Sequence, residues 1–198
     1  MGVRRARGEA VLPRGLILAS ASPQRRAILE QAGIAFEVRP SAVEELTDGE
    51  PRAVAAENAR RKALAVAGRA EDVALVLGAD TLVTLDGAIL GKPRDPAQAV
   101  EYLARLAGRT HRVVGAIALA RGGEVFAEAV DVTDVTFRAL TATEIDDYVA
   151  LGEWQGRAGG YAIQGRGATL VRGIAGDYLN VVGLPLARLL DLLPQYPP

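Results

Sequence analysis

The stretch LILASASPQRR, residues 16–26, is the most informative about the fold, because it joins a short apolar run directly to a helix start. The run at 16–19 is typical of a buried strand. Ser22 is suited to cap a helix, and Pro23 to occupy its first position. Apolar side chains then recur with helical spacing as far as Gly33. A strand that runs straight into a helix favours an α/β fold.

The rest of the chain continues this alternation. Strand-like runs lie at 36–39, 73–77, 111–119 and 124–137, and a hairpin around an Asp-Gly turn lies at 82–90. Helices are predicted at 51–67, 96–106, 141–151, where Thr141 and Glu144 form a capping box, and about 185–193. These elements predict an α/β fold with a mixed twisted sheet that is flanked by helices.

Length and composition limit the domain organisation. A chain of 198 residues with 49% hydrophobic residues can bury a sizeable core, and we predict one domain over 15–198. The arginines at positions 4, 5 and 7 precede an apolar stretch too short for a signal peptide. We therefore expect a flexible basic tail over 1–14.

Charge and cysteine content exclude several classes of function. A net charge of −1 and an aromatic content of 5% argue against a nucleic acid partner. No apolar run is long enough to cross a bilayer, so no membrane partner is expected. The absence of cysteine excludes disulfides, a thiol nucleophile and cysteine-bearing zinc sites. We expect a cytoplasmic protein.

Two residue types are so scarce that their positions are informative. The chain has 21 arginines but only two lysines, Lys62 and Lys92, and only three serines. Arginine and lysine are not interchangeable at a phosphate or catalytic site, so a retained lysine is a candidate ligand for phosphate. Lys62 otherwise fits the solvated face of a charged helix.

The turn after the first strand is a candidate anion site. Ser20 and Ser22 precede a helix start, and Arg25 follows within the first turn. Backbone N–H groups at such a helix end favour an anion, and a guanidinium adds paired donors. The stretch lacks the glycines and the Gly-Lys-Ser/Thr end of a Walker loop. An ordinary helix cap with solvated arginines is the alternative.

Two acidic positions are candidates for metal binding or proton transfer. Asp80, in GADT at 78–81, is expected where an apolar strand ends, at the edge of the sheet where ligands bind. There it could hold a divalent cation or accept a proton from water, or it could simply form a turn. Glu45 lies in an acidic loop and offers a second carboxylate.

The glycine-rich stretch GRAGGYAIQG, residues 156–165, has two interpretations. It either brings backbone close to a ligand or serves as a lid, or it forms a flexible surface loop. Gln164 offers both a donor and an acceptor to a base edge. For His111 and Trp154 we expect structural packing.

Taken in order, these motifs resemble the Maf family of nucleoside triphosphate pyrophosphatases, over residues 16 to about 193. The resemblance rests on LILASASPQRR, Glu44-Glu45, Lys62 after Glu57-Asn58, LGADTLV at 77–83, GKPRD at 91–95, AGRTHRV at 107–113, DVTFRALTATEIDDYV at 134–149, AGGYAIQGRG at 158–167 and VVGLPL at 181–186. It implies two lobes around a central cleft, as in inosine triphosphatase-like folds, and a possible homodimer.

The resemblance also assigns roles to individual residues. Asp80 would accept a proton from the attacking water and share a divalent cation, Mg²⁺ or Mn²⁺, with Glu45. Phosphates would be surrounded by Ser20, Arg25, Lys62 and Lys92. The substrate would be a nucleoside triphosphate, and the products would be the nucleoside monophosphate and pyrophosphate.

Three positions would set the base preference: Gln24, Thr81 and Gln164. Thr81 and Gln164 look like the branch that hydrolyses dTTP and UTP, whereas Gln24 departs from the arginine usual in that branch. Two other functions stay open. One is a nucleotide-binding regulator of cell division that does not turn over its ligand, and the other is a nucleotidyltransferase acting on a sugar phosphate.

Overall fold

The computed structural model describes residues 15–68 and 74–193. The predicted tail at 1–14 and the last five residues of the expected domain lie outside this part. The strands are β1 (Leu16–Leu18), β2 (Phe36–Val38), β3 (Leu75–Leu85), β4 (Ala88–Leu90), β5 (Thr110–Arg121), β6 (Glu124–Phe137) and β7 (Val171–Ala175). The α-helices are α1 (Pro23–Gln31), α2 (Pro51–Ala67), α3 (Pro96–Leu106), α4 (Ala142–Ala150), α5 (Tyr178–Val182) and α6 (Leu186–Leu192).

Within the described residues, the strands form one seven-stranded mixed sheet with the order β2-β1-β3-β5-β6-β7, and β4 pairs with β3. β1 is parallel to both β2 and β3, while the pairs from β3 to β7 are antiparallel. Helices pack on this sheet, so the predicted α/β class and the mixed sheet are confirmed.

β3 differs from the prediction in a way that matters for the site. The sequence predicts a strand that stops at Gly78, but β3 continues to Leu85 and joins the hairpin strand without a break. Gly78 is required by packing rather than by a turn, because a Cβ there would lie 2.1 Å from the carbonyl oxygen of Ala59 in α2. Asp80 therefore lies in the middle of a strand, and its predicted position at a strand end is wrong.

Three groups of buried side chains surround the sheet. α2 covers one face with small residues such as Ala59 and Ala63, which pack on β3 and β5. α1 and α6 cover the opposite face near β1. α3 and α4 pack at the far end of the long antiparallel strands, around Leu103 and Phe137.

The helix predictions are confirmed where capping signals are strong. Pro51 begins α2 and Pro96 begins α3, with Glu50 and Asp95 as caps. Thr141 and Glu144 form the expected capping box at the start of α4. The sequence did not predict β7 or α5.

No helix in the described ranges has the length and apolar character that a membrane span requires.

Candidate active site

The site forms where β1 ends and its neighbour β3 continues. Leu18, the last residue of β1, pairs with Leu77, and the chain of β1 then turns through Ser20 into α1. β3 meanwhile runs on to Asp80 and Thr81. The mixed sheet thus brings the turn before α1 next to the middle of β3. Site residues were expected at the carboxyl ends of parallel strands. This holds for Ser20, which follows β1, but not for Asp80, which lies inside β3.

Four charged residues that the sequence singled out form one connected ionic cluster. The ammonium of Lys62 lies 2.6 Å from Glu45 Oε1 and 2.6 Å from Asp80 Oδ1. Lys92 Nζ lies 3.0 Å from the other oxygen of Glu45. Lys62 and Asp80 are buried, with 6% and 3% of their surface exposed. The interpretation of Lys62 as part of a solvated helix face is therefore wrong. The interpretation of Asp80 as a turn-forming residue is wrong as well.

Asn58 completes this cluster and was missed from the sequence. Its side-chain amide donates to Asp80 Oδ2 at 3.0 Å and to the carbonyl of Leu46 at 3.0 Å. Its amide oxygen accepts from the N–H of Leu46 at 2.8 Å. Asn58 therefore ties the acidic loop to Asp80. The available signal was its spacing, because Asn58 and Lys62 are four residues apart on one face of α2.

The carboxylate of Glu45 is held in its charged form. Partial burial acts to raise its pKa, but hydrogen bonds and charges from Lys62 and Lys92 outweigh burial and lower the pKa to about 2. Glu45 is thus anionic at neutral pH, and two ammonium groups already neutralise it.

Arg25 forms a second, separate set of contacts. It donates from Nε to the carbonyl of Gly183 at 2.9 Å, from one terminal nitrogen to Ser20 Oγ at 2.8 Å, and from the other to Thr81 Oγ1 at 3.2 Å. Burial lowers the pKa of Arg25, while the charges of Asp80 and Glu45 act to raise it. The solvated-arginine interpretation is wrong for Arg25. Ser22 caps α1 as predicted, accepting from the Arg25 backbone at 3.4 Å.

A cavity whose two parts share five lining residues opens beside these residues. One part, the phosphate end, is lined by Ser20, Arg25, Glu45, Lys62 and Lys92, among others. The other part, the base end, is lined by Gln24, Thr81, Gln164, Tyr161 and Val182, among others. All three positions expected to set base preference lie together at the base end. Ser22, Gln24, Arg25, Gly156 and Arg157 line both parts.

A buried aromatic group supports the base end. His111 Nε2 and the Tyr161 hydroxyl are 2.7 Å apart, and both rings contact Phe137 edge to face. Burial lowers the pKa of His111 to about 4, with Asp134 acting in the opposite direction, so His111 is neutral at pH 7. Burial raises the pKa of Tyr161. His111 and buried Trp154 thus pack structurally, as expected.

The glycine-rich stretch is packed against the sheet and forms a wall of the cavity. Gly159 has a φ of +69°, and a Cβ there would lie 2.8 Å from Val83 in β3. A Cβ on Gly160 would lie 3.2 Å from Pro93. The Gly159 N–H also donates to the carbonyl of Gly91 at 3.0 Å. Gly159 and Gly160 therefore allow close backbone approach, and the interpretation as a surface loop is wrong for this buried middle of the segment, whereas Gly156, Gln164 and Gly165 are exposed.

The fold is a mixed α/β sheet, and the cavity beside it is cationic at one end. The protein therefore belongs to a class suited to bind an anionic, elongated ligand. Residues 15–196 match the family model described as Maf-like protein, and the chain belongs to this family. The family predicted from the sequence motifs is confirmed.

Curated relatives carry a common name. The dTTP/UTP pyrophosphatase of Moorella thermoacetica is 51% identical over 183 residues, covering 90% of this chain and 93% of its own. The dTTP/UTP pyrophosphatase of Gloeobacter violaceus is 49% identical over 183 residues, covering 91% of this chain and 95% of its own. Among solved structures, a HAM1 protein from Coxiella burnetii aligns with 62% of this chain and 72% of its own, at 18% identity and a TM-score of 0.46.

Proposed function

We propose that this protein hydrolyses dTTP and UTP between the α- and β-phosphates, releasing pyrophosphate and the nucleoside monophosphate. The observation that carries the proposal is the cavity whose cationic phosphate end and less charged base end share five lining residues. The shared name of the relatives supports hydrolysis rather than a regulator that only binds nucleotide.

At the phosphate end, charge neutralisation is the main task of the protein. Lys62, Lys92 and Arg25 would surround the triphosphate and stabilise the charge that develops on the leaving pyrophosphate. Ser20 would add a hydroxyl donor, since its oxygen already accepts from Arg25 and its proton is available to a phosphate oxygen.

The carboxylates fit a divalent cation of the Mg²⁺ or Mn²⁺ type. Glu45 and Asp80 contact the same ammonium, so two oxygen-donor groups lie close together beside the cavity. Mg²⁺ is commonly bound by one or two carboxylates together with substrate phosphates. Glu45 and Asp80 would hold the ion, which would supply charge neutralisation on the phosphate oxygens.

Asp80 is the proposed acceptor of the proton from the attacking water. Both of its oxygens are engaged, one by Lys62 and one by Asn58, which keeps the carboxylate oriented. The substrate phosphates would compete for the Lys62 ammonium and free Oδ1 for the water. Asp80 is then a base only when substrate is present.

At the base end, Gln24, Thr81 and Gln164 are proposed to select the pyrimidine. Gln24 accepts a hydrogen bond from Ser22 at 3.2 Å, and Thr81 is engaged with Arg25 and Gly183. Gln164 is exposed and makes no capping bond with its side chain, so its amide is available to a base edge.

The test is pyrophosphate release from dTTP, UTP, CTP, ATP, GTP and 7-methyl-GTP, with Mg²⁺ or Mn²⁺. We expect dTTP and UTP to be turned over fastest. Nucleotide binding without any pyrophosphate release would favour the regulator instead.

The expected homodimer, the single domain over 15–198 and the cytoplasmic location remain predictions. Light scattering, limited proteolysis and cell fractionation would test them.

A further inference from the structure

Arg157 differs from the other cations that line the cavity, because its side chain has no hydrogen-bond acceptor among the described residues. Lys62 and Lys92 are paired with carboxylates, and Arg25 donates to three neutral oxygens. Within 15–68 and 74–193, Arg157 forms no ion pair, and its Nε atom is buried without a hydrogen-bond partner. A buried donor without an acceptor is unfavourable, and a ligand that supplies one gains the corresponding free energy.

The position of Arg157 is central rather than peripheral. It lines the phosphate end and the base end, as Arg25 does. In a nucleoside triphosphate, the groups between the base and the two outer phosphates are the sugar and the α-phosphate. A residue at the junction of the two parts would lie beside these groups if each end holds the group expected there.

The backbone around Arg157 is fixed on both sides. Its N–H donates to the carbonyl of Trp154 at 3.1 Å, and its own carbonyl accepts from Gly160 at 3.1 Å. Buried Trp154 is itself anchored, because its indole N–H donates to the carbonyl of Val149 at 3.0 Å. The side chain thus starts from an ordered segment, which reduces the entropy lost when it binds a ligand.

We propose that Arg157 is a further substrate-binding residue that contacts the α-phosphate, the phosphate at which the bond breaks. This inference rests on the proposed hydrolysis of nucleoside triphosphates. A guanidinium offers paired N–H donors that match two phosphate oxygens. Arg25 and Arg157 then provide two guanidinium groups at the junction of the two parts.

The test measures equilibrium binding of three fragments by calorimetry: thymidine, dTMP and pyrophosphate. The proteins are the wild type, Arg157→Gln, Arg157→Lys and the control Arg166→Gln, which changes an exposed arginine in the same segment. We expect Arg157→Gln to weaken dTMP binding roughly 10- to 100-fold, as for the loss of a hydrogen bond to a charged group. Thymidine and pyrophosphate binding should be nearly unchanged, and Arg157→Lys should fall in between.

Each other outcome contradicts the inference. Equal weakening of all three fragments would indicate a structural role, and selective weakening of pyrophosphate would place Arg157 at the outer phosphates. Unchanged dTMP binding, or no dTMP binding to the wild type, would also overturn it. Turnover of dTTP by the wild type is measured separately. If turnover is absent while the dTMP effect is present, the hydrolysis proposal fails and the α-phosphate contact stands.

Discussion

The two ends of the cavity are held in place by different interactions. At the phosphate end, Lys62, Glu45 and Asp80 are joined by ion pairs, and Asn58 fixes the carboxylate from behind. At the base end, Tyr161 is backed by an aromatic group that contains neutral His111. Asn58 and His111 are thus the buried polar supports of the two ends.

This difference leads us to expect that turnover and base selectivity depend on different residues. Lys62, Lys92, Glu45 and Asp80 are bound to one another at the phosphate end, so a single substitution among them disturbs the whole cluster. At the base end, Gln164 makes no capping bond, so changing it disturbs few neighbours. We therefore expect substitutions to abolish turnover at the first end and to alter base preference at the second.

The largest effect should follow from Asp80→Asn. The substitution preserves shape but removes the charge that would accept a proton, and turnover of dTTP should fall roughly 10²- to 10⁴-fold. Steady-state pyrophosphate release is the measurement, with thermal unfolding to verify folding. Asp146→Asn, on the exposed face of α4, is the control. Near-normal turnover in Asp80→Asn would rule out Asp80 as the base.

The next effect concerns His111 and the dependence of stability on pH. The pKa of His111 is about 4 in the folded protein and about 6.5 when unfolded. Between these values the unfolded chain binds a proton that the folded chain does not, so stability decreases as pH falls from 6.5 to 4. The loss amounts to about 3 kcal/mol, and it should be small in His111→Gln.

Denaturant unfolding of both proteins at several pH values measures this loss. The contribution from Glu45 has its own window, since a carboxyl whose folded pKa is about 2 loses its stabilising effect between about pH 4.5 and 2. Equal slopes for wild type and His111→Gln between pH 6.5 and 4 would show that His111 does not titrate as proposed.

Asn58→Ala should have a smaller effect, which acts on both stability and turnover. It removes the donor to Asp80 and leaves the N–H of Leu46 without its acceptor, so unfolding free energy should fall by about 1–3 kcal/mol. Turnover should fall as well, because Asp80 loses its orientation. Arg61→Ala, which breaks only an exposed pair with Glu57, is the control. A variant that loses stability but keeps full turnover would confine Asn58 to a structural role.

The smallest effect is expected for Gln164→Ala. Losing one hydrogen bond to the base should change the ratio of dTTP to CTP turnover by about 10-fold while leaving pyrophosphate release intact. Competition between the two nucleotides in one reaction measures the ratio directly. Gln164→Glu keeps the size of the side chain and tests whether the amide donor is the required group. An unchanged ratio in both variants would remove Gln164 from base selection.

Much of the fold was predictable because capping and turn residues mark it. Pro51, Pro96 and Thr141 gave three helix starts, and Asp86-Gly87 gave the hairpin. Gly78 misled the strand prediction, because a glycine needed for close helix packing looks the same as one that ends a strand. β7 was missed because VRGIA carries a central glycine and is mostly exposed.

The site was predictable for residues that are unusual in this composition and that fall on family motifs. Lys62 and Lys92 are the only lysines, and both contact Glu45. Asn58 was not predicted, because its role depends on contacts with Leu46 and Asp80, which are distant in sequence. The spacing of four residues between Asn58 and Lys62 was the available signal, whereas Arg157, one arginine among 21, offered none.

The most direct test of the central claim is hydrolysis of dTTP in ¹⁸O-labelled water, followed by mass spectrometry of the products. Attack at the α-phosphorus would place the label in dTMP and leave pyrophosphate unlabelled. Label in pyrophosphate or in orthophosphate would contradict the proposed assignment of Asp80, Lys62 and Arg25 to attack at the α-phosphorus.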